Sequence, residues 1–405
     1  VVLLVMFAAD CGDTDGWIDA CPDDPDKDAP GQCGCGAPDV DGDGDGTADC
    51  VDVCPSVPDD QADTDEDGFG DACDRCPAHD PPSRAEIDVV CAEEDIECLF
   101  TPRIHSCGGQ LDCGPDLEPT RTKLLANPPD EGEPAVRREA IEALDAILIG
   151  PCYQAPSVGA FFTAMMDKVA EELVEPVTSG ATIWMMYNHG FIVKTPEVAF
   201  GFDVVGVRNR PWPWPVKELA EQLDVLFITH QHGDHYDWWT VDRVLAGGGH
   251  VAVPAEANLD GDLEVGPGDS LSVAGLSVVA HDALHGDWPA RMYEVTTPGG
   301  LRFLHTGDNQ TSETIPPLDD IDVLMLNAWV NESGSTSAPE GMRRSILKLQ
   351  PSLTFLGHAQ ELGHDYEPDN PASRVPYAWP LEVMDMDLPG DVHVLAWGER
   401  YQLRD

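Results

Sequence analysis

Two rhythms of apolar and polar residues divide this chain. From about residue 180, short apolar runs alternate with turns. TIWMMY (182–187), GFIVKT (190–195) and VAFGFDVV (198–205) are predicted strands, KELAEQL (217–223) a helix, DVLFIT (224–229) a buried strand and WWTVDRVLA (238–246) a helix. Upstream, REAIEALDAIL (138–148) and VGAFFTAMMDKVAEELVE (158–175) repeat apolar positions at helical spacing, and PPDEGEP (128–134) reads as a linker. The Met and Phe residues of the second helix read as core contacts rather than a cofactor site. Residues 1–80 follow neither rhythm beyond the apolar run VVLLVMFAA (1–9).

Charge and cysteine content sharpen that division. The 405 residues hold 22 Lys plus Arg against 75 Asp plus Glu, a formal net charge of -53, which disfavours nonspecific attraction to nucleic acid or to an anionic membrane surface. Residues 1–80 carry 23 acidic residues against Lys27 and Arg75 alone, a balance of -21. All 13 cysteines lie between Cys11 and Cys152. Cysteine at this density in an acidic, loop-like segment predicts disulfides and an oxidising compartment. VVLLVMFAA matches the apolar core and small-residue end of a secretory signal, with a buried strand as the alternative reading. It is too short to span a bilayer, which takes about 20 residues as a helix, and no other segment reads as transmembrane. AADC (8–11) resembles a lipoprotein cleavage site, which leaves lipid attachment at Cys11 open. The expected location is therefore secreted or at a cell surface. The expected organisation is a signal remnant at 1–10, acidic repeats at 11–80, a cysteine-containing helical connector at 81–178 and a catalytic domain at 179–405 on which that connector packs.

Within the acidic segment, DTDGWIDACP (13–22), DGDGDGTADCVDVCP (41–55) and DTDEDGFGDACDRCP (63–77) align on Gly16, Gly46 and Gly68. Aspartates alternate before the glycine as Asp41, Asp43, Asp45 and as Asp63, Asp65, Asp67, and another comes three residues after it at Asp49 and Asp71. Ca²⁺ takes about 6–8 oxygen ligands in a flexible cage, and alternating carboxylates around a glycine turn supply them. Without metal, such a composition favours an acidic disordered tail. The segment resembles type 3 thrombospondin repeats over residues 11–77, which implies a calcium-stiffened stalk. The first unit has Cys11 where the others have Asp41 and Asp63.

The loop THQHGDHYD (229–237) comes directly after the buried strand. His230 and His232 project to the same side of an extended segment and can converge on one ion, while Asp234 and His235 on the turn can reach a second. His281, His285, Asp308 and His358 each come after an apolar, strand-like run. Imidazole with carboxylate suits zinc best, with iron, manganese and nickel as competitors, and the absence of cysteine here excludes a thiolate site.

This order and spacing resemble the metallo-β-lactamase superfamily, whose His-x-His-x-Asp-His pattern stands here as His230, His232, Asp234 and His235. The resemblance covers roughly residues 182–365. It implies an αββα sandwich holding two metal ions, with His230, His232 and a third histidine on the first, and Asp234, His235 and His358 on the second. Asp308 would bridge them. His285 is preferred to His281 as the third histidine on its spacing to Asp308. The loops most resemble the branch holding ascorbate-6-phosphate lactonase and the N-acyl-phosphatidylethanolamine phospholipase D type.

The implied activity is hydrolysis of a lactone, another ester or a phosphodiester, with a small-molecule or lipid-like substrate, through a metal-bound hydroxide. Asp234 would position that hydroxide, and Tyr236 and His364 are candidate proton donors or oxyanion partners. His189 is a candidate supporting residue. RPWPWP (210–215) either overhangs the site or lies on the sheet. The alternative function is a non-catalytic, calcium-dependent surface or adhesion protein whose sandwich domain binds metal without turnover.

Overall fold

In a computed structural model of the chain, the described residues are 116–404 apart from 133, 151–152, 154, 206–216, 287, 331–337 and 363–373, together with scattered positions between 21 and 62. The chain divides into two compact units, residues 1–107 and 108–405. In the first, the Asp41 carboxylate accepts from the backbone N–H groups of Gly44 (2.6 Å) and Gly46 (3.1 Å), and Asp45 accepts from Thr47 N (2.8 Å). Gly46 has φ 102°, a turn conformation that a side chain would strain. Asp43, Asp49, Asp63, Asp65, Asp67 and Asp71 lie outside the described residues.

The second unit begins with three helices, α1 (Glu118–Ala126), α2 (Ala135–Leu148) and α3 (Pro156–Leu173). Helix α2 buries Ala140, Ile141, Leu144 and Leu148, the stripe that its sequence periodicity predicts. Strands β1 (Ala181–Met185), β2 (Phe191–Lys194) and β3 (Ala199–Phe202) come next, then α4 (Lys217–Ala220), β4 (Val225–Phe227), α5 (Trp238–Gly247), β5 (His250–Pro254) and β6 (Leu263–Val265). The chain continues through β7 (Ser270–Val273), β8 (Leu276–Asp282), β9 (Arg291–Thr296), β10 (Arg302–His305) and β11 (Val323–Asn327). It closes with α6 (Ala338–Leu349), β12 (Leu353–Gly357), α7 (Ala378–Met384), β13 (Asp391–His393) and β14 (Arg400–Leu403). Helices α1–α3 thus belong to the same compact unit as the sheets.

Two seven-stranded sheets result, one in the order β14-β1-β2-β3-β4-β5-β6 and the other β13-β12-β11-β10-β9-β8-β7. Between them lies one apolar core, where Phe200 meets Phe303 (ring centroids 5.6 Å), Phe227 meets Tyr293 (5.1 Å) and Phe191 meets Phe355 (6.1 Å). Every residue of β11 and β12 is buried, as expected of strands covered on both faces. The fold is an αββα sandwich.

Strand direction decides where the loops converge. β1 and β3 are both antiparallel to β2, and β4 is parallel to β3. β8 and β10 are both antiparallel to β9, and β11 and β12 run parallel to β10. The segments after β1, β3 and β4 therefore leave one end of their sheet, and those after β8, β10 and β12 leave one end of the other. Four bonds between the sheets hold these ends together: Tyr293 Oη donates to Ile228 O (2.9 Å), Arg291 N to Thr229 O (2.9 Å), His305 Nε2 to His189 O (2.9 Å) and His358 N to Asn188 O (3.0 Å).

Candidate metal centre

The 229–237 loop is shaped by the helix at its end and by its own backbone. Asp237 caps α5, accepting from Trp239 N (3.1 Å) and Thr240 Oγ1 (2.8 Å), and the N–H groups of His235 and Tyr236 fold back onto His232 O at 2.9 and 2.8 Å. That tight turn sends His230 and His232 one way and Asp234 and His235 another.

Two donor groups form, each with its ligand atoms within 4.8 Å of one another: His230, His232 and His285, and Asp234, His235, Asp308 and His358. In the first, His285 Nε2 lies 3.2 Å from His232 Nδ1. In the second, His235 Nε2 lies 3.0 Å from Asp234 Oδ2 and 3.3 Å from Asp308 Oδ2, and His358 Nε2 lies 3.1 Å from Asp308 Oδ2. Asp308 Oδ2 is also 3.7 Å from His230 Nε2, so this one carboxylate borders both groups.

The side chains fit metal ions. His230 Nε2 and Asp308 Oδ1 are buried without a hydrogen-bond partner. An unsatisfied buried polar atom costs about 1–3 kcal/mol, and two side by side among further imidazoles and carboxylates are explained by an ion that takes their lone pairs. In His235 and His285 the other ring nitrogen is occupied in the manner of metal-ligating histidines. His235 Nδ1 donates to Asp203 Oδ2 at 2.7 Å, and His285 Nδ1 donates to Asp308 O at 3.2 Å, which turns each Nε2 towards its group.

Burial and charge set the protonation states. Burial, reinforced by neighbouring His235, holds His230 well below the usual imidazole pKa, and burial also lowers His232 and His285. Burial would lower His235 too, but Asp234, Asp308 and Asp203 outweigh it and hold its pKa well above normal. Against the same burial penalty, His235 and His358 keep Asp308 ionised, and His235 keeps Asp234 ionised.

Several supporting residues were not singled out in the sequence. Asn188, with φ 56°, donates through Nδ2 to Asp234 Oδ2 at 2.5 Å and lies 3.2 Å from His358 Nε2. Asp203, with φ 47°, accepts from Thr229 N (2.8 Å) and Thr229 Oγ1 (2.7 Å) as well as from His235. Both occupy strand ends in the left-handed region, which asparagine and aspartate tolerate better than most residues. An acidic or amide residue at such an end was the available signal.

Other expected residues sit elsewhere. His281 lies within β8 and pairs with Glu294 at 2.9 Å, outside both donor groups. Tyr236 Oη donates to Asp260 Oδ2 at 3.2 Å, so its hydroxyl is engaged by Asp260. His189 packs its ring 4.2 Å from that of His305, accepts from His305 Nε2 through its backbone carbonyl and lies outside both donor groups. His364 and RPWPWP lie outside the described residues. Trp288, about half exposed, sets its ring 5.5 Å from His232.

Residues 200–359 match the family model for the beta-lactamase superfamily domain. No curated protein matches the chain in sequence. Similar solved structures include Igni18, a metallo hydrolase from Ignicoccus hospitalis (16% identity, 56% of this chain and 99% of that one, TM-score 0.43). Another is CmlA, a diiron beta-hydroxylase from Streptomyces venezuelae (20%, 57% and 55%, 0.40). A third is an isothiocyanate hydrolase from Delia radicum gut bacteria (13%, 55% and 99%, 0.40).

Proposed function

We propose that this chain is an exported hydrolase whose two-ion centre cleaves a lactone, another carboxylic ester or a phosphodiester. Metal-dependent hydrolysis is supported by the beta-lactamase superfamily match together with the donor set. The observation that carries the two-ion reading is Asp308, one buried carboxylate bordering both donor groups. Zinc is the first choice for a centre of five imidazoles and two carboxylates, with iron and manganese as alternatives.

Bound divalent ions lower the pKa of water towards neutrality and stabilise the oxygen that gains charge during hydrolysis. The protein's part is orientation. Asp234, a carboxylate of the second donor group, serves to orient a water through hydrogen bonding. Asn188 fixes that carboxylate, and Asp203 fixes the ring of His235. Trp288, about half exposed beside the ring of His232, offers an apolar surface for an ester with a hydrophobic arm, in keeping with the resemblance of the loops to the ascorbate-6-phosphate lactonase and N-acyl-phosphatidylethanolamine phospholipase D branch.

After zinc loading, the full chain is expected to hold close to two ions by elemental analysis and to hydrolyse a p-nitrophenyl ester, a simple lactone or bis-p-nitrophenyl phosphate. His232→Ala should lose both ion content and turnover. A chain that binds no transition metal, or a fully active His232→Ala variant, refutes the reading.

Calcium binding by the acidic repeats and export of the chain belong to the same proposal. Their support is the spacing of the aspartates, the glycine turn on which Asp41 folds, and the cysteine-rich composition, with Cys21 and Cys33 each disulfide-bonded. No described helix is long and apolar enough to cross a membrane. Extracellular calcium modules titrate at about 10⁻⁴–10⁻³ M, so residues 11–77 should resist protease over that range and become sensitive in chelator. Equal protection without calcium removes the stalk reading. Deleting residues 1–80 should leave hydrolysis nearly intact.

A further inference from the structure

The helical segment ahead of the sheets reaches the loop that carries one of the metal-ligand histidines. Asp145, on the buried face of α2, accepts from Gln360 Nε2 at 2.5 Å, from Tyr377 N at 2.6 Å and from Ala378 N at 3.1 Å. Gln360 stands two residues beyond His358, and these two residues have φ values of 62° and 61°. A non-glycine residue in such a conformation is strained and persists only where its surroundings over-determine it. Three bonds do so here: His358 N to Asn188 O (3.0 Å), Gln360 N to Val375 O (2.8 Å), and the Gln360 side chain to Asp145. Asp145 bears on two of the three, because its bonds to Tyr377 and Ala378 also fix the chain just after Val375. Arg374 adds a parallel tie from the end of the same helix, donating to Leu148 O (2.6 Å) and Glu361 O (3.1 Å). Asp145 lies outside residues 200–359, the span of the superfamily match.

We propose that Asp145 is a positioning residue for the second donor group: through Gln360 it fixes the backbone at the end of β12 so that His358 faces Asp234, His235 and Asp308. The inference rests on the metal reading of the site. It gives α2 a part in the metal centre, and it makes that part selective. His230, His232 and His285 stand on the segments after β4 and β8, which Asp145 does not touch. Loss of the Asp145 carboxylate frees the 358–360 backbone to relax out of its strained conformation, and His358 then points away from its partners.

The test is a zinc competition titration of the full chain against a chromophoric chelator, resolving both ions, with the thermal melt of each metal-free variant alongside. In Asp145→Ala the affinity of the second ion should fall about tenfold while the first stays near its original value. Asp145→Asn keeps an oxygen that can accept from Gln360 and should recover most of the loss. Gln360→Leu removes the same bond from its other end and should reproduce the selective loss, which also covers the case of an Asp145→Ala chain that does not fold. Equal weakening of both ions in step with a lowered melting temperature would make Asp145 merely structural and overturn the proposal. Unchanged affinities in Asp145→Ala and Gln360→Leu would overturn it as well. An original chain that binds no ion at all overturns the metal reading, and this inference with it.

Discussion

Asp308→Ala is expected to reduce the metal content of the zinc-loaded chain from two ions to one or none, and to lower kcat/KM on the order of 10³-fold, the scale of losing a principal electrostatic contact at a reacting centre. The reason is its position. Its Oδ2 lies 3.7 Å from His230 Nε2, 3.3 Å from His235 Nε2 and 3.1 Å from His358 Nε2, and no other carboxylate borders both donor groups among the described residues. It is buried, so water cannot replace it at low cost. Without it, both donor groups lose the carboxylate they share, and two cations brought close together lose the negative charge placed between them. Elemental analysis and steady-state kinetics on the variant check this. Two tightly held ions in Asp308→Ala would show that the groups are independent sites.

The second large effect separates two histidines four residues apart. His285→Ala should weaken the first ion about a hundredfold or more, whereas His281→Ala should change it less than about threefold, as expected for a partly exposed ion pair. His285 is buried, with Nδ1 on the Asp308 carbonyl and Nε2 beside His232. His281 is paired in β8 with Met292 of the neighbouring strand, and its ring is taken by Glu294. Zinc affinity measured on both variants decides the matter, and the reverse order would mean that the 283–290 loop rearranges when metal binds.

Much of the sandwich was legible because its signals are local. The runs at 182–187, 190–195, 198–205 and 224–229 mark β1, β2, β3 and β4, with each strand shorter than its apolar run. DVLFIT contributes only Val225–Phe227 to the ladder, because Ile228 and Thr229 already turn towards the site while remaining buried. Apolar content reports burial, and ladder pairing ends wherever the backbone must leave the sheet. The two helices at 138–148 and 158–175 were legible for the same reason.

By itself, then, the sequence determined the alternation of strands and helices, the donor types and the turn that splits His230 and His232 from Asp234 and His235. These depend on spacing over a few residues and on the chemistry of imidazole and carboxylate. Only the tertiary structure decided which distant groups meet: Asn188 with Asp234, Asp203 with His235 and Thr229, His285 rather than His281 with His232, and Asp145 with Gln360. The last pair is 215 residues apart in the chain. No local pattern encodes such a contact, because it depends on the direction of each strand and on which strand ends the packed sheets bring together. Asparagine and aspartate at strand ends are common in turns, and they become supporting residues only when a buried ligand stands opposite.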